Sequence, residues 1–357
     1  MSQASAAPPD ANVVEVRDLR LNYFTSKGPV QAVNGVSFDL KRGETLGVVG
    51  ESGCGKTTLG LALLNIPTPP GRIVGGEIRI DGTNIVGLPE RDLRRNVRWE
   101  KVSMVFQGAM NCLTPVYTVG RQMTETLQKH RPTAREEAHR IVAEYLAMVG
   151  LPPEIVHRYP HELSGGMKQR VVIAMALFLE PRVVILDEPT TALDVIVQAQ
   201  IINVVKDLKR RLGLSMIFIT HDLATEAEVA DRILVMYAGK VAEIASNESV
   251  FGDRAAEGGP GENGPGADGP GGNGPAAARL SNHPYTRRLL AATPRLHAKV
   301  SELAFIPGTP PDLLEPPRGC PFHLRCSVAF DRCRTQEPPL REIGPGHLAA
   351  CWRCYDA

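Results

Sequence analysis

The stretch Gly50-Glu51-Ser52-Gly53-Cys54-Gly55-Lys56-Thr57 restricts this chain more than any other. It fits the pattern G-x-x-x-x-G-K-[ST] and follows the apolar run Thr45-Leu46-Gly47-Val48-Val49, so the local order is strand, glycine loop, helix. Glycines let the backbone curl until successive N–H groups point at phosphate oxygens, and a helix opening near Lys56 adds its positive dipole end. Lys56 is then placed to reach the β- and γ-phosphates of a nucleotide, and the Thr57 hydroxyl to ligate Mg²⁺. The plainer alternative is a Gly-rich turn over a buried lysine stem. The amphipathic stretch carrying Leu59, Leu61, Leu63 and Leu64 favours the phosphate loop, and Gly50 to Thr57 with Thr58 form the candidate ATP-binding set.

A second run, Val183-Val184-Ile185-Leu186-Asp187-Glu188, is apolar on both faces and ends in two acids. That is the signature of a central parallel strand, which brings the acids to its carboxyl end, where α/β folds bind ligands. Asp187 there can complete a Mg²⁺ shell, and Glu188 can orient and deprotonate an attacking water. Solvated loop carboxylates are the bland alternative, and the strength of the apolar run argues against them.

The chain has 357 residues, 43% of them hydrophobic, which is ample for one large domain and an appendage. A formal net charge of +1 supplies no field favouring nucleic acid. Charged residues interrupt every apolar run before membrane-spanning length. Residues 1–12 are Ala/Pro-rich without the layout of a secretory signal, and read as a disordered lead-in to a cytoplasmic protein.

Val13 to Leu21 and Gly35 to Leu40 alternate apolar and polar residues, as in an antiparallel β-layer ahead of the nucleotide loop. Tyr23 and Phe24 close the first of these strands, and either ring could stack on an adenine or simply fill core. From about residue 84 to 170 helical patterns take over, for example Arg135 to Met148 with Ala138, Ile141, Val142, Tyr145 and Leu146 on one face, which reads as an inserted helical subdomain. Val102 to Phe106 is a strand that delivers Gln107 to a loop, and Met216 to Thr220 another that delivers His221. A glutamine so placed can sense Mg²⁺ and water, and a histidine can contact a γ-phosphate and the general base together. Residues 258–275 repeat Gly-Pro every five residues with no apolar face to bury, and read as part of a flexible linker over 252–280 between a body at 13–251 and a tail at 281–357.

Five of the seven cysteines, Cys320, Cys326, Cys333, Cys351 and Cys354, fall within the last 38 residues. Thiols so dense in a cytoplasmic chain argue for a metal rather than disulfides. The spacing C-x₅-C-x₆-C-x₁₇-C lacks most of the C-x₂-C knuckles of zinc sites, although Cys351 and Cys354 form one such pair, and four thiolates can also hold a [4Fe–4S] cube. Iron–sulfur cluster, zinc and free thiols remain open on spacing alone.

With Leu163-Ser164-Gly165-Gly166-Met167-Lys168-Gln169-Arg170 between the phosphate loop and the acidic strand end, the chain resembles the ATP-binding subunits of ABC transporters, and more narrowly those of the dipeptide/oligopeptide importer group. The resemblance implies an α/β P-loop ABC ATPase fold with an antiparallel β-layer, an inserted helical subdomain and a small cysteine-rich C-terminal extension. It matches Tyr23 to the adenine-stacking aromatic, Gln107 to the Q-loop glutamine, Asp187 and Glu188 to the Walker B acid and catalytic glutamate, Asp194 to the D-loop and His221 to the switch histidine. Leu163, Ser164, Gly165, Gly166 and Met167 match the signature, which in this family closes over ATP held by a second subunit. His283 to Leu290 and Ile306 to Pro311 are similar to the C-terminal extension of oligopeptide-type subunits, and the resemblance favours [4Fe–4S] over zinc with Cys320, Cys326, Cys333 and Cys351 as ligands. It further implies a second ATPase subunit, more readily a paralogue than a second copy, two transmembrane permease subunits, an extracytoplasmic solute-binding protein, no nucleic acid, and a peripheral place on the cytoplasmic face of the membrane. Peptide is the implied cargo. Nickel or oligosaccharide on the same machinery, a non-transport ABC ATPase and an Fe–S regulatory protein that kept the fold are the alternatives.

Overall fold

The computed structural model describes residues 11–252, 282–292 and 306–355. The lead-in up to residue 10 and the Gly-Pro repeat of 258–275 lie outside the described residues, whereas Asn12, expected to close the disordered lead-in, opens a strand and pairs with Lys41.

A four-stranded antiparallel layer in the order β2-β1-β4-β5 is built from Asn12–Thr25 (β1), Gly28–Lys41 (β2), Gly71–Ile80 (β4) and Thr83–Asn84 (β5). Val14 and Val16, then Leu19 and Leu21, all face the core, although the two pairs are out of step for a two-residue period. A register shift between Val16 and Leu19 absorbs the extra residue and returns the apolar set to one face.

The larger sheet runs β11-β12-β10-β9-β3-β8-β7-β6. Its strands are Thr45–Val49 (β3), Val102–Val105 (β6), Val183–Asp187 (β7), Ser215–Ile219 (β8), Arg232–Tyr237 (β9), Lys240–Ser246 (β10), Arg341–Gly344 (β11) and His347–Ala349 (β12). From β9 to β6 all neighbours are parallel, and β9-β10-β12-β11 continues antiparallel. Every residue of β3, β7 and β8 is buried, the condition of parallel strands covered on both faces. β3 and β7 flank β8, so the loops leaving their carboxyl ends open on the same edge of the sheet.

Helices Lys56–Leu63 (α1), Glu90–Asn96 (α2), Val119–His130 (α3), Arg135–Met148 (α4), Gly165–Leu177 (α5), Val195–Leu212 (α6), Leu223–Val229 (α7), Asn247–Phe251 (α8) and Pro284–Ala291 (α9) complete the frame. In α4, Ala138, Val142, Tyr145 and Leu146 are buried and Ile141 packs beside them, the face that the helical period indicates. The interval 84–170 is not helical throughout, because β6 lies inside it and pairs with β7. Among the described residues no helix is long and apolar enough to cross a membrane.

The tail docks onto the body. β12 adds to β10 through Glu243↔Ala349 and Ile244↔Leu348, and Tyr285, Phe322, Cys320, Cys333 and Trp352 share a core with Val235 and Tyr237 of β9. Glu243, fully buried on β10, fixes this junction: one carboxylate oxygen lies 2.6 Å from His347 Nε2, and the other accepts the His283 N–H at 3.1 Å.

Candidate active site

The phosphate loop leaves β3 at Gly50 and enters α1 at Lys56. Two of its glycines are required by backbone shape: Gly50 has φ +150° and a Cβ there would lie 2.3 Å from Met236 O, while Gly55 has φ +104° and a Cβ would lie 2.3 Å from Ala32 O. The buried Lys56 ammonium curls over the loop and donates to Gly50 O at 2.7 Å and Glu51 O at 3.1 Å.

At the end of β7, Asp187 Oδ1 accepts from the Thr57 hydroxyl at 3.2 Å, while Oδ2 is buried without a hydrogen-bond partner. Burial pushes this carboxyl up to about 6, against the pull of the Thr57 hydroxyl. A buried, unpartnered carboxylate oxygen beside a threonine hydroxyl is the donor set that a hard divalent cation takes, so these residues fit Mg²⁺.

Glu188 follows in a left-handed conformation, φ +47°, unusual for a residue with a side chain. Its backbone N–H is tied to Ile219 O at 2.8 Å. Three side chains hold its carboxylate: Gln107 Nε2 donates to Oε2 at 2.8 Å, Thr191 Oγ1 donates to Oε2 at 2.9 Å, and His221 Nδ1 lies 3.1 Å from Oε1. Residues from the ends of β6, β7 and β8 and from the segment before α6 thus converge on one carboxylate that can accept a proton from water.

Of the two aromatic candidates, Tyr23 is half-buried with its hydroxyl 3.3 Å from Thr58 Oγ1 at the start of α1, while Phe24 is exposed beneath the Arg72 guanidinium. The structure brings Ser52, Gly53 and Cys54 into the loop between Glu51 and Gly55, with Cys54 buried. Leu163 is buried, and Ser164 caps α5 by accepting from Met167 N–H at 3.3 Å, with Gly165 and Gly166 as the first residues of that helix. Gly166 is packed so closely that a Cβ would lie 2.5 Å from Val197 Cγ1. Asp194 caps α6 through Val197 N–H at 3.0 Å.

Cys320, Cys326, Cys333 and Cys351 line one small cavity with Phe322, Val328 and Trp352. Burial pushes the Cys320 and Cys326 thiols up to about 12, whereas a hydrogen bond from Cys354 holds Cys351 below its ordinary value. Among the described residues no group of three or more His, Cys, Asp or Glu side chains is arranged to hold a metal ion.

Two tail residues to which the sequence assigns no role at the nucleotide site also reach the phosphate loop, Tyr285, within the matched segment His283 to Leu290, and Arg325. The only local cue to Arg325 is its place directly before Cys326.

Such a sheet, with a phosphate loop on one strand and a held glutamate two strands away, is the architecture of ABC ATPases. A dimeric post-hydrolysis structure of the ATP-binding cassette MJ0796 bound to ADP and Pi superposes with a TM-score of 0.58 at 29% identity, covering 66% of this chain and 98% of that one. The ABC transporter family model matches residues 33–191, and the model for the oligopeptide/dipeptide transporter C-terminal region matches residues 278–333. The oligopeptide transport ATP-binding protein OppD of Bacillus subtilis is 44% identical over 95% of this chain and 88% of its own length. OppD of Salmonella typhimurium is 43% identical over 98% and 96%. The chain therefore belongs to the ATP-binding proteins of ABC transporters, in the oligopeptide/dipeptide group, and is an ATPase.

Proposed function

We propose that this chain hydrolyses ATP to power import of dipeptides and oligopeptides across the cytoplasmic membrane, as one subunit of a multi-subunit transporter. The peptide cargo is supported by relatives named for oligopeptide and dipeptide transport and by the match of the tail to the oligopeptide/dipeptide C-terminal region. The observation that carries the mechanism is the Glu188 carboxylate, held by Gln107, Thr191 and His221 within the same site as Thr57 and Asp187.

In this reading the backbone N–H groups of Gly50 to Thr57, with Thr58, cradle the phosphates, Lys56 neutralises the β- and γ-groups, and Tyr23 stacks on the adenine. Thr57, Asp187 and Gln107 would hold Mg²⁺, which would supply charge neutralisation of the phosphates. Glu188 takes the proton of the attacking water, while His221 and Gln107 orient the carboxylate. Ser164, Gly165 and Gly166 at the start of α5 face the γ-phosphate bound by a partner ATPase, a paralogue rather than a second copy, and Asp194 lies at the same junction. Val195 and Ile196, 79% and 72% exposed directly after Asp194, suit that contact. Val116 and Tyr117, exposed on the loop after Gln107, suit contact with two permease subunits, which an extracytoplasmic binding protein would load. The chain then sits peripherally on the cytoplasmic face, with no role for nucleic acid.

For the tail the reading is a [4Fe–4S] cluster on Cys320, Cys326, Cys333 and Cys351; its support is the family resemblance and the four thiols lining one cavity, and it requires the thiols to close up from the arrangement seen here. Such a cluster would supply a structural cross-link for a small tail.

Glu188→Gln tests the central role. In the assembled transporter it should lower ATP turnover about 10²–10⁴-fold and accumulate ATP-bound dimers. An unchanged rate would refute the assignment.

A further inference from the structure

Glu51, the second residue of the phosphate loop, is gripped from three directions. Its backbone N–H donates to the Tyr285 hydroxyl at 2.8 Å, and its carbonyl accepts from Lys56. Its carboxylate receives both arms of the Arg325 guanidinium, Nη1 to Oε2 at 2.5 Å and Nη2 to Oε1 at 2.9 Å. Two of these three grips come from the tail, more than two hundred residues further along the chain.

The grip is itself fixed. Arg325 is almost fully buried, and its remaining donors go to Pro307 O at 2.8 Å, Ile306 O at 3.3 Å and the Tyr237 hydroxyl at 3.2 Å. Tyr285 is fully buried, its ring 4.6 Å from that of Tyr237 and 5.3 Å from that of Phe322. A fork–fork pair with every donor used has one geometry, so it transmits position as well as charge. A carboxylate beside a triphosphate site would also repel the ligand if left unpaired, and the guanidinium cancels that charge.

We propose that Arg325 and Tyr285 are positioning residues for ATP binding, holding the phosphate loop in its phosphate-accepting shape and making nucleotide affinity depend on the docked tail. The inference rests on the ATPase reading of the Gly50–Thr57 loop and extends it. Arg325 directly precedes Cys326 and sits five residues after Cys320, so the strut springs from the turn that lines the thiol cavity.

Binding of MgATP to the full-length chain, measured by calorimetry, tests this alongside steady-state turnover in the assembled complex. Tyr285→Phe keeps the packed ring and removes only the acceptor for Glu51 N–H. It should weaken MgATP binding and raise KM about tenfold while kcat at saturating ATP stays near wild type. Arg325→Met should weaken binding more than Arg325→Lys, and adding Glu51→Gln to Arg325→Met should recover part of the loss by removing the stranded charge. Variants that bind MgATP as tightly as wild type, even with a lowered melting temperature, would reduce the contact to a structural one and overturn the inference. A wild-type chain that failed to bind MgATP would instead overturn the ATPase reading on which it stands.

Discussion

Glu226 on α7 offers a measurable test of the packing behind the site. Its side chain is fully buried, and among the described residues neither carboxyl oxygen has a well-formed hydrogen bond, the Val48 backbone lying close enough to offset only a small part of the burial. It fits only because residue 47 on β3 is glycine: a Cβ there would lie 1.8 Å from Glu226 Oε1. Burial, reinforced by the nearby Asp222 charge, raises this carboxyl well above its ordinary 4.5, so the folded chain keeps a proton that the unfolded chain releases. Methionine has a similar unbranched reach without the polar atoms. Glu226→Met should therefore stabilise the fold by about 1–3 kcal/mol through relief of the unpartnered group alone. At about 2 °C per kcal/mol for a body of this size, that is a rise of roughly 2–6 °C. The sign of the pH effect follows from the raised folded value: wild-type stability is fullest below 4.5 and falls as pH rises toward the folded pKa, by up to about 1.4 kcal/mol per unit. The advantage of Glu226→Met should thus be larger at pH 8 than at pH 5, and Glu226→Gln should remove the pH dependence while retaining unpartnered polar atoms. Thermal melting by circular dichroism at both pH values decides this. A methionine variant that melts no higher than wild type at pH 8, or gains equally at both, refutes the reasoning.

Gly47→Ala should be severely destabilising alone and largely rescued by Glu226→Ala in the same chain, a non-additivity that melting of the two single variants and the double would reveal. His347→Ala strips the fully buried Glu243 of its side-chain partner and should cost about 1–3 kcal/mol, read as a lower melting temperature and faster protease cleavage of the tail. Ser164→Ala removes the α5 cap and should cost about 1 kcal/mol, checked by urea unfolding. Protein purified without oxygen should be brown, contain about four irons per chain by metal analysis, and lose both properties in Cys351→Ser; colourless zinc-bearing protein would count against the cluster.

The parts visible from residues alone were those with a local signature. Continuous apolar runs at 45–49, 183–187 and 216–219 announced covered parallel strands, and Arg135 to Met148 announced its helix to the residue. The loop from Gly50 followed because its glycines, lysine and threonine are contiguous, and Gln107, Glu188 and His221 because each ends a short buried strand. Long-range polar pairing left no such trace. Nothing in the alternation of β10 says that Glu243 waits for His283 and His347, and neither Glu51 nor Arg325 carries a period that names the other. The bulge between Val16 and Leu19 and the cut in the helical interval made by β6 were likewise decided by partners distant in sequence.

The pairing of β12 with β10 sets a timetable for synthesis. Strand β10 has unpaired backbone groups along one side until residues such as His347 arrive, 104 positions after Glu243. At 5–20 residues per second, a ribosome leaves that edge open for roughly 5–20 s, during which it can recruit a strand from another nascent chain. Completion of the tail ends this exposure, so each molecule carries the seal for that edge.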